Sequence, residues 1–162
     1  MLISFTLAGA PSIMTHRKTL KNLTQFFGDG GNMPTSAQWR ALLELPEEGP
    51  LAAVNFVKLR PQAVYASGEN EPSRTGLEAL MLYSEGSLPR VNAMGGSFLL
   101  QGLHQGAIIG APTDLDLVIV GNFPSAQAYV SLFLDPDYRA AFMHRRAAVE
   151  SWKAVLSTGV VG

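Results

Sequence analysis

The chain has 162 residues, 47% of them hydrophobic and 15% charged, with a formal net charge of −1. That length is expected to form one main domain with a substantial core, and so small a net charge gives no field to attract nucleic acid or a membrane surface. Cysteine is absent, which excludes disulfides, thiolate catalysis and every Cys-ligated metal or iron–sulfur site, and suits a cytoplasmic location.

Leu2–Leu7 read as a short extended run. Ala8-Gly9-Ala10 has the form of an export cleavage site, but no Lys or Arg precedes the short apolar run, so secretion is not expected. No apolar run reaches the roughly 20 residues that a membrane span needs. Leu20, Leu23 and Phe27 then recur at helical spacing in a helix near Thr15–Phe27, stopped by the glycines at 28, 30 and 31. A second helix is predicted over Ser36–Leu45, with Trp39, Leu42 and Leu43 on one face and Thr35 or Ser36 as its N-cap.

From Leu51 the punctuation sharpens. Leu51–Leu59 is a nearly continuous apolar strand, followed by a polar loop. The next helix is predicted to place Leu77, Leu80, Met81, Ser84, Leu88 and Val91 on one face and to end at Gly95 as a left-handed cap. Pro89 is expected to kink it, or to divide it after Ser87. Ser97–Gly110 reads as a strand or a strand pair, with Gly102 and Gly106 as bulge or turn positions. Leu115–Phe123 is a third strand. Ser125 caps a helix, Asp135-Pro136-Asp137 restarts it after a break, and Trp152–Val160 forms a final strand. The order from Leu51 is β-α-β-β-α-β, the split βαβ or ferredoxin-like arrangement of an α+β domain. Residues 1–50 are assigned to an N-terminal helical extension and 51–162 to the domain.

Asn55–Arg60 (NFVKLR), the spacing of Tyr83, Pro89, Gly95 and Gly96, Phe123–Ser125 (FPS), and Asp135–Tyr138 (DPDY) followed by Arg145 together resemble a small uncharacterised bacterial family of the dimeric α+β barrel superfamily. The likeness runs from about Pro34 to the C-terminus. It implies a four-stranded antiparallel sheet backed by two helices, with two such sheets facing each other across a homodimer around a barrel-like cavity. Relatives in that superfamily include cofactor-free monooxygenases, polyketide cyclases, haem-degrading enzymes and dye-decolourising peroxidases, so the fold does not choose a reaction.

The residues themselves offer few motifs. There is no G-x-S-x-G elbow, and the glycines at 102, 106 and 110 lack the Lys-Ser/Thr of a phosphate loop. His16, His104 and His144 share no metal-ligand spacing, so neither metal nor cofactor is expected, although haem on a single histidine is a third reading. Alternation along the third strand puts Leu115, Leu117, Ile119 and Phe123 toward the helices and Asp116, Val118, Val120 and Asn122 on the other face. On the second strand the same rule puts Phe98 and Leu100 toward the helices and Ser97, Leu99, Gln101 and Leu103 opposite. An apolar face carrying Asn55, Ser97, Gln101, Asn122 and Asp116 suits either a small-molecule pocket or a plain subunit interface.

The leading expectation is therefore a homodimer that binds a small apolar or polyketide-like molecule, with cofactor-independent acid–base chemistry of cyclase, isomerase or monooxygenase type. In that scheme His104 moves the proton, Asp116 orients it, and Tyr83 or Asn55 stabilises negative charge. Arg90 is either a clamp for an acidic ligand or a surface residue. The alternative is a non-catalytic binding or assembly module with a filled dimer core. The His144-Arg145-Arg146 triplet is read as scaffold, with Arg145 tying its helix to the fold or to a subunit interface.

Overall fold

A computed structural model describes residues 13–158; the extended run at Leu2–Leu7 lies outside them. The described chain falls into two compact units divided between Glu44 and Leu45. The first holds α1 (Ile13–Phe27) and α2 (Ser36–Leu43). Thr35 is the cap of α2: its hydroxyl accepts from the Gln38 N–H at 3.2 Å while the Gln38 side chain accepts from the Thr35 N–H at 2.8 Å. This reciprocal pair satisfies two of the donors that every helix start leaves open. Leu23 and Trp39 are fully buried.

The second unit runs β1 (Leu51–Leu59), α3 (Gly76–Ala93), β2 (Ser97–Leu103), β3 (Leu117–Phe123), α4 (Ala126–Leu134), α5 (Pro136–Ala148) and β4 (Val149–Thr158). The sheet order is β2-β3-β1-β4 and every neighbouring pair is antiparallel. That is the ferredoxin-like order, with the second helix of the motif broken into α4 and α5. The break falls at Asp135, as its Asp-Pro-Asp signature predicts. Asp135 accepts from the Tyr138 N–H at 2.9 Å, and Pro136 opens α5 where a missing N–H costs nothing.

Helices α3 and α5 cover one face of the sheet. Val57, Ala79, Leu80, Ala148 and Val149 form a core cluster between them, each buried valine or leucine side chain contributing on the order of 2 kcal/mol. Gly76 opens α3 because an added Cβ would strike the carbonyl oxygens of Arg60 and Ala148. Gly95, at φ +75°, ends it in the predicted left-handed conformation, with the Gly96 N–H donating to Val91 at 2.9 Å.

Four expectations need correction. Helix α3 runs unbroken through Pro89; the lost hydrogen bond falls in its last turns, where packing of α3 along α5 outweighs it. Its inward stripe is Gly76, Ala79, Leu80, Ser87 and Val91, while Leu77 and Met81 are exposed and Leu88 is partly exposed at the cavity edge. The third strand begins at Leu117 rather than Leu115, and the fourth begins at Val149, directly after α5.

The fourth correction concerns the sheet faces. The β2–β3 register slips between Phe98 and Leu100, so Phe98 pairs with Gly121 but Gln101 pairs with Ile119. One extra residue sends everything beyond it to the opposite face. Gln101 and Leu103 therefore lie on the helix side and Leu100 on the open side, the reverse of simple alternation. Asn55 also pairs with Ile119 and stands on the helix side. Ser97 and Asn122, paired with each other, remain on the open face.

Candidate functional site

A cavity of about 90 Å³ lies inside the second unit, between the sheet and its helices. Strand positions Ala53, Asn55, Ile119 and Gly121 form its floor, and Tyr83, Ser87, Tyr129, Tyr138 and Arg145 come from the helices above. Its walls are a run of edge-to-face aromatic pairs: Phe123–Tyr129 at 4.9 Å, Tyr129–Phe133 at 5.1 Å, Phe133–Tyr138 at 5.4 Å and Tyr83–Tyr138 at 5.9 Å between ring centres. A void of about 150 Å³ holds benzene, so a larger polyketide-like ligand does not fit wholly within this one.

The polar group at its centre is Arg145. The step from Tyr138 to Arg145 is seven residues, two turns of α5, so both side chains come off one helix face. Arg145 is 7% exposed. Its guanidinium carbon lies 3.8 Å from the Trp152 ring centre, 4.8 Å from Phe142 and 6.0 Å from Tyr83. Among the described residues no carboxylate forms an ion pair with it. Burial works against its charge; as phenolates the oxygens of Tyr83, Tyr138 and Tyr129 outweigh that and hold its pKa above the ordinary arginine value, but as neutral phenols they supply no counter-charge. A buried charge with no counter-charge is costly and uncommon in a purely structural setting.

Two of the tyrosines around it, Tyr129 and Tyr138, stay protonated. Burial pushes Tyr129 up to about 12, and burial with the neighbouring Tyr83 holds Tyr138 well above its usual value. The Tyr83 and Tyr138 hydroxyls share a 2.7 Å hydrogen bond. Asn55 lies in the floor but is already committed. Its Nδ2 donates to the Ala53 and Ile119 carbonyls, each at 3.1 Å, and its Oδ1 accepts from the Trp152 indole at 2.9 Å. It therefore holds Trp152 in place beneath the guanidinium and has no group free to stabilise an anion. Gln101, at the rim, is exposed.

The expected His104–Asp116 dyad does not form. The two meet only through backbone, the His104 N–H donating to the Asp116 carbonyl at 2.9 Å. The His104 ring is engaged with Thr113 at 3.1 Å. The Asp116 carboxylate accepts from the Leu59 N–H at 2.7 Å and faces Lys58 at 3.6 Å, which makes it a clip between loop and strand. Neither lines the cavity. Arg90 is no ligand clamp either: it makes a two-pronged pair with Asp135, Nε to Oδ1 at 3.0 Å and Nη2 to Oδ2 at 2.7 Å. That pair fastens α3 to the α4–α5 break and holds the Asp135 carboxyl below its ordinary pKa, against the opposing effect of burial. Of the predicted site residues only Tyr83, Asn55 and Gln101 come together. Among the described residues no cluster of three His, Asp or Glu could hold a metal, and no helix is long and apolar enough to cross a membrane.

Fold and cavity define a ferredoxin-like α+β domain with an aromatic pocket between sheet and helices. The chain belongs to the family described as a domain of unknown function (DUF1330), whose model matches residues 64–160; the match includes Tyr83, Tyr129, Tyr138, Arg145 and Trp152. It is similar to a protein of unknown function from Rhodopseudomonas palustris, whose structure is 32% identical over 82% of this chain and 99% of that one, with a TM-score of 0.74. The methylated form gives 34% identity, 81% and 96% coverage and a TM-score of 0.73. A dimeric protein of unknown function with a ferredoxin-like fold from Bacteroides fragilis is 14% identical, covers 70% of this chain and 100% of its own, and has a TM-score of 0.45. No curated protein matches the sequence.

Proposed function

We propose that the chain is a small-molecule-binding protein whose ligand sits within each protomer, in the pocket between sheet and helices. The observation that carries this reading is Arg145, buried and without a carboxylate partner at the centre of an aromatic cavity. Apolar walls with a few converging polar groups are the usual make-up of a ligand site. Among the described residues no carboxylate or imidazole lines the pocket, and Tyr129 and Tyr138 are held protonated, so the pocket offers no ordinary general base at neutral pH. Binding therefore fits the site better than acid–base turnover by His104 and Asp116.

The open face of the sheet has a separate role in this reading, as the surface where a second copy docks. Val54, Phe56, Val118 and Val120 lie there with Leu100 and Val155, which are 49% and 47% exposed in the single chain. Pairing of two such faces is the arrangement that the family resemblance implies.

Native mass spectrometry with a panel of small organic acids, amides and alcohols tests the reading. Ser87, which is buried and lines the pocket, is replaced by Leu to fill it. Wild-type protein is expected to retain a panel member that Ser87→Leu does not, while both remain dimers. Equal retention by the two proteins would move the site elsewhere.

A further inference from the structure

We propose that the ligand of this pocket is a short-chain carboxylate carrying no amino group, with 2-oxo acids as the best-fitting class. This rests on the helix–sheet pocket being the ligand site, and deepens that reading from an inventory of every polar side chain that faces it.

Asn55 has both its amide N–H groups committed, so it has no donor left to offer. The Ser84 hydroxyl is turned away to the Leu80 carbonyl at 2.9 Å. Ser87 and Gln101 are neutral and able both to donate and to accept. What remains is rich in donors. Arg145 has only N–H groups to offer, and stacking over Trp152 uses the face of the guanidinium while leaving its in-plane edge to form hydrogen bonds, one of them toward the Tyr83 hydroxyl. The Tyr83–Tyr138 pair holds two protons and spends one on the bond between them, so one is left to donate. The Tyr129 hydroxyl has no hydrogen-bond partner among the described residues. One fixed positive charge, two spare phenolic protons and no fixed negative charge call for a ligand that is anionic and rich in acceptors.

Geometry narrows the class. A guanidinium edge matches the two oxygens of a carboxylate. A neighbouring oxo group accepts the remaining phenolic protons. An ammonium at the same carbon would face Arg145 at close range with no acidic residue to receive it, so amino acids are rejected by charge rather than by size. Volume sets the upper limit. The cavity, at about 90 Å³, is smaller than the void of about 150 Å³ that holds benzene. That admits a two- to four-carbon acid and excludes a long chain lying wholly inside.

Isothermal titration calorimetry with three probes of nearly equal size tests the assignment: pyruvate, its neutral amide pyruvamide, and alanine. Wild-type protein is expected to bind pyruvate at least about tenfold more tightly than either of the others, because a charge-assisted pair is replaced by a neutral one or opposed by an ammonium. Arg145→Lys keeps the preference for pyruvate over pyruvamide, and Arg145→Met abolishes it. Pyruvamide binding as tightly as pyruvate to wild-type protein would overturn the carboxylate assignment while leaving the pocket as the ligand site. Binding of all three probes unchanged by Ser87→Leu would overturn the pocket reading itself, and binding of none would overturn both.

Discussion

Replacing Arg145 by Met separates a ligand-binding arginine from a structural one. A structural tie contributes to folding, so its loss destabilises the protein. A guanidinium held ready for an absent anion has a different balance. Moving it from water into the pocket costs several kcal/mol even after relaxation. Against this stand its contact with Trp152 at 3.8 Å, worth roughly 2 kcal/mol when desolvated, and weaker ones with Phe142 and Tyr83. These offset most of the cost. Methionine retains the apolar stem, and its sulfur gains about 1 kcal/mol against the same rings. The ligand-free variant is therefore expected to be more stable by about 1–2 kcal/mol, at the lower end of what replacing buried charges with apolar groups gives. Urea denaturation at pH 7 reads this as a higher midpoint with an unchanged slope. A variant less stable than wild type by 2 kcal/mol or more would show that Arg145 holds the fold together, as the sequence suggested, and would remove the reasoning behind the site.

Three further outcomes follow from named contacts. Gly86→Ala would gain about 1 kcal/mol of helix propensity, but its Cβ would stand 2.6 Å from the Ala141 Cβ across the α3–α5 contact. Overpacking of about 1–3 kcal/mol wins, so thermal melting should show a loss that Ala141→Gly largely restores in the double variant; a stabilised single variant would contradict the close approach. Tyr129 has a folded-state pKa of about 12, raised above its unfolded value of about 10. Its contribution is therefore complete below pH 10 and is lost as pH rises toward 12; stability measured across that window should fall less steeply in Tyr129→Phe, and an unchanged slope would contradict the burial. Val120→Glu, placing a charge amid the open face, is expected to convert the dimer to a monomer in sedimentation velocity without loss of pyruvate binding; a persistent dimer would exclude that face as the interface.

Much of the fold was legible because local chemistry wrote it. Leu51–Leu59 is apolar but for Asn55 and Lys58, Thr35, Ser125 and Asp135 are side chains that cap helices, and Gly95 supplies a left-handed turn; each signal lies within a few residues of what it specifies. The site was less legible. The bulge between Phe98 and Leu100 carries no glycine, while Gly102 looked the better position for one, and a one-residue slip was enough to misplace Gln101. Asn55 sits in a strand apolar on both faces, so its polarity did not reveal which face it occupies. Arg90 finds Asp135 across 45 residues and Asp116 finds Leu59 across 57, pairings that no spacing rule reports. Arg145 left one usable trace. It continues the buried stripe of Tyr138, Ala141 and Phe142, yet has no acidic residue three or four positions away on its helix. A charge on an inward face without a local partner is the pattern that marks a binding arginine.

The central claim, that the ligand lies inside the protomer and is held by Arg145, is tested most directly by a crystal structure determined with pyruvate. The carboxylate is expected within hydrogen-bond distance of the Arg145 guanidinium, above Asn55 and Ile119 and beside the Tyr83–Tyr138 pair. Pyruvate bound instead on the open sheet face, against Ser97 and Asn122, would contradict it.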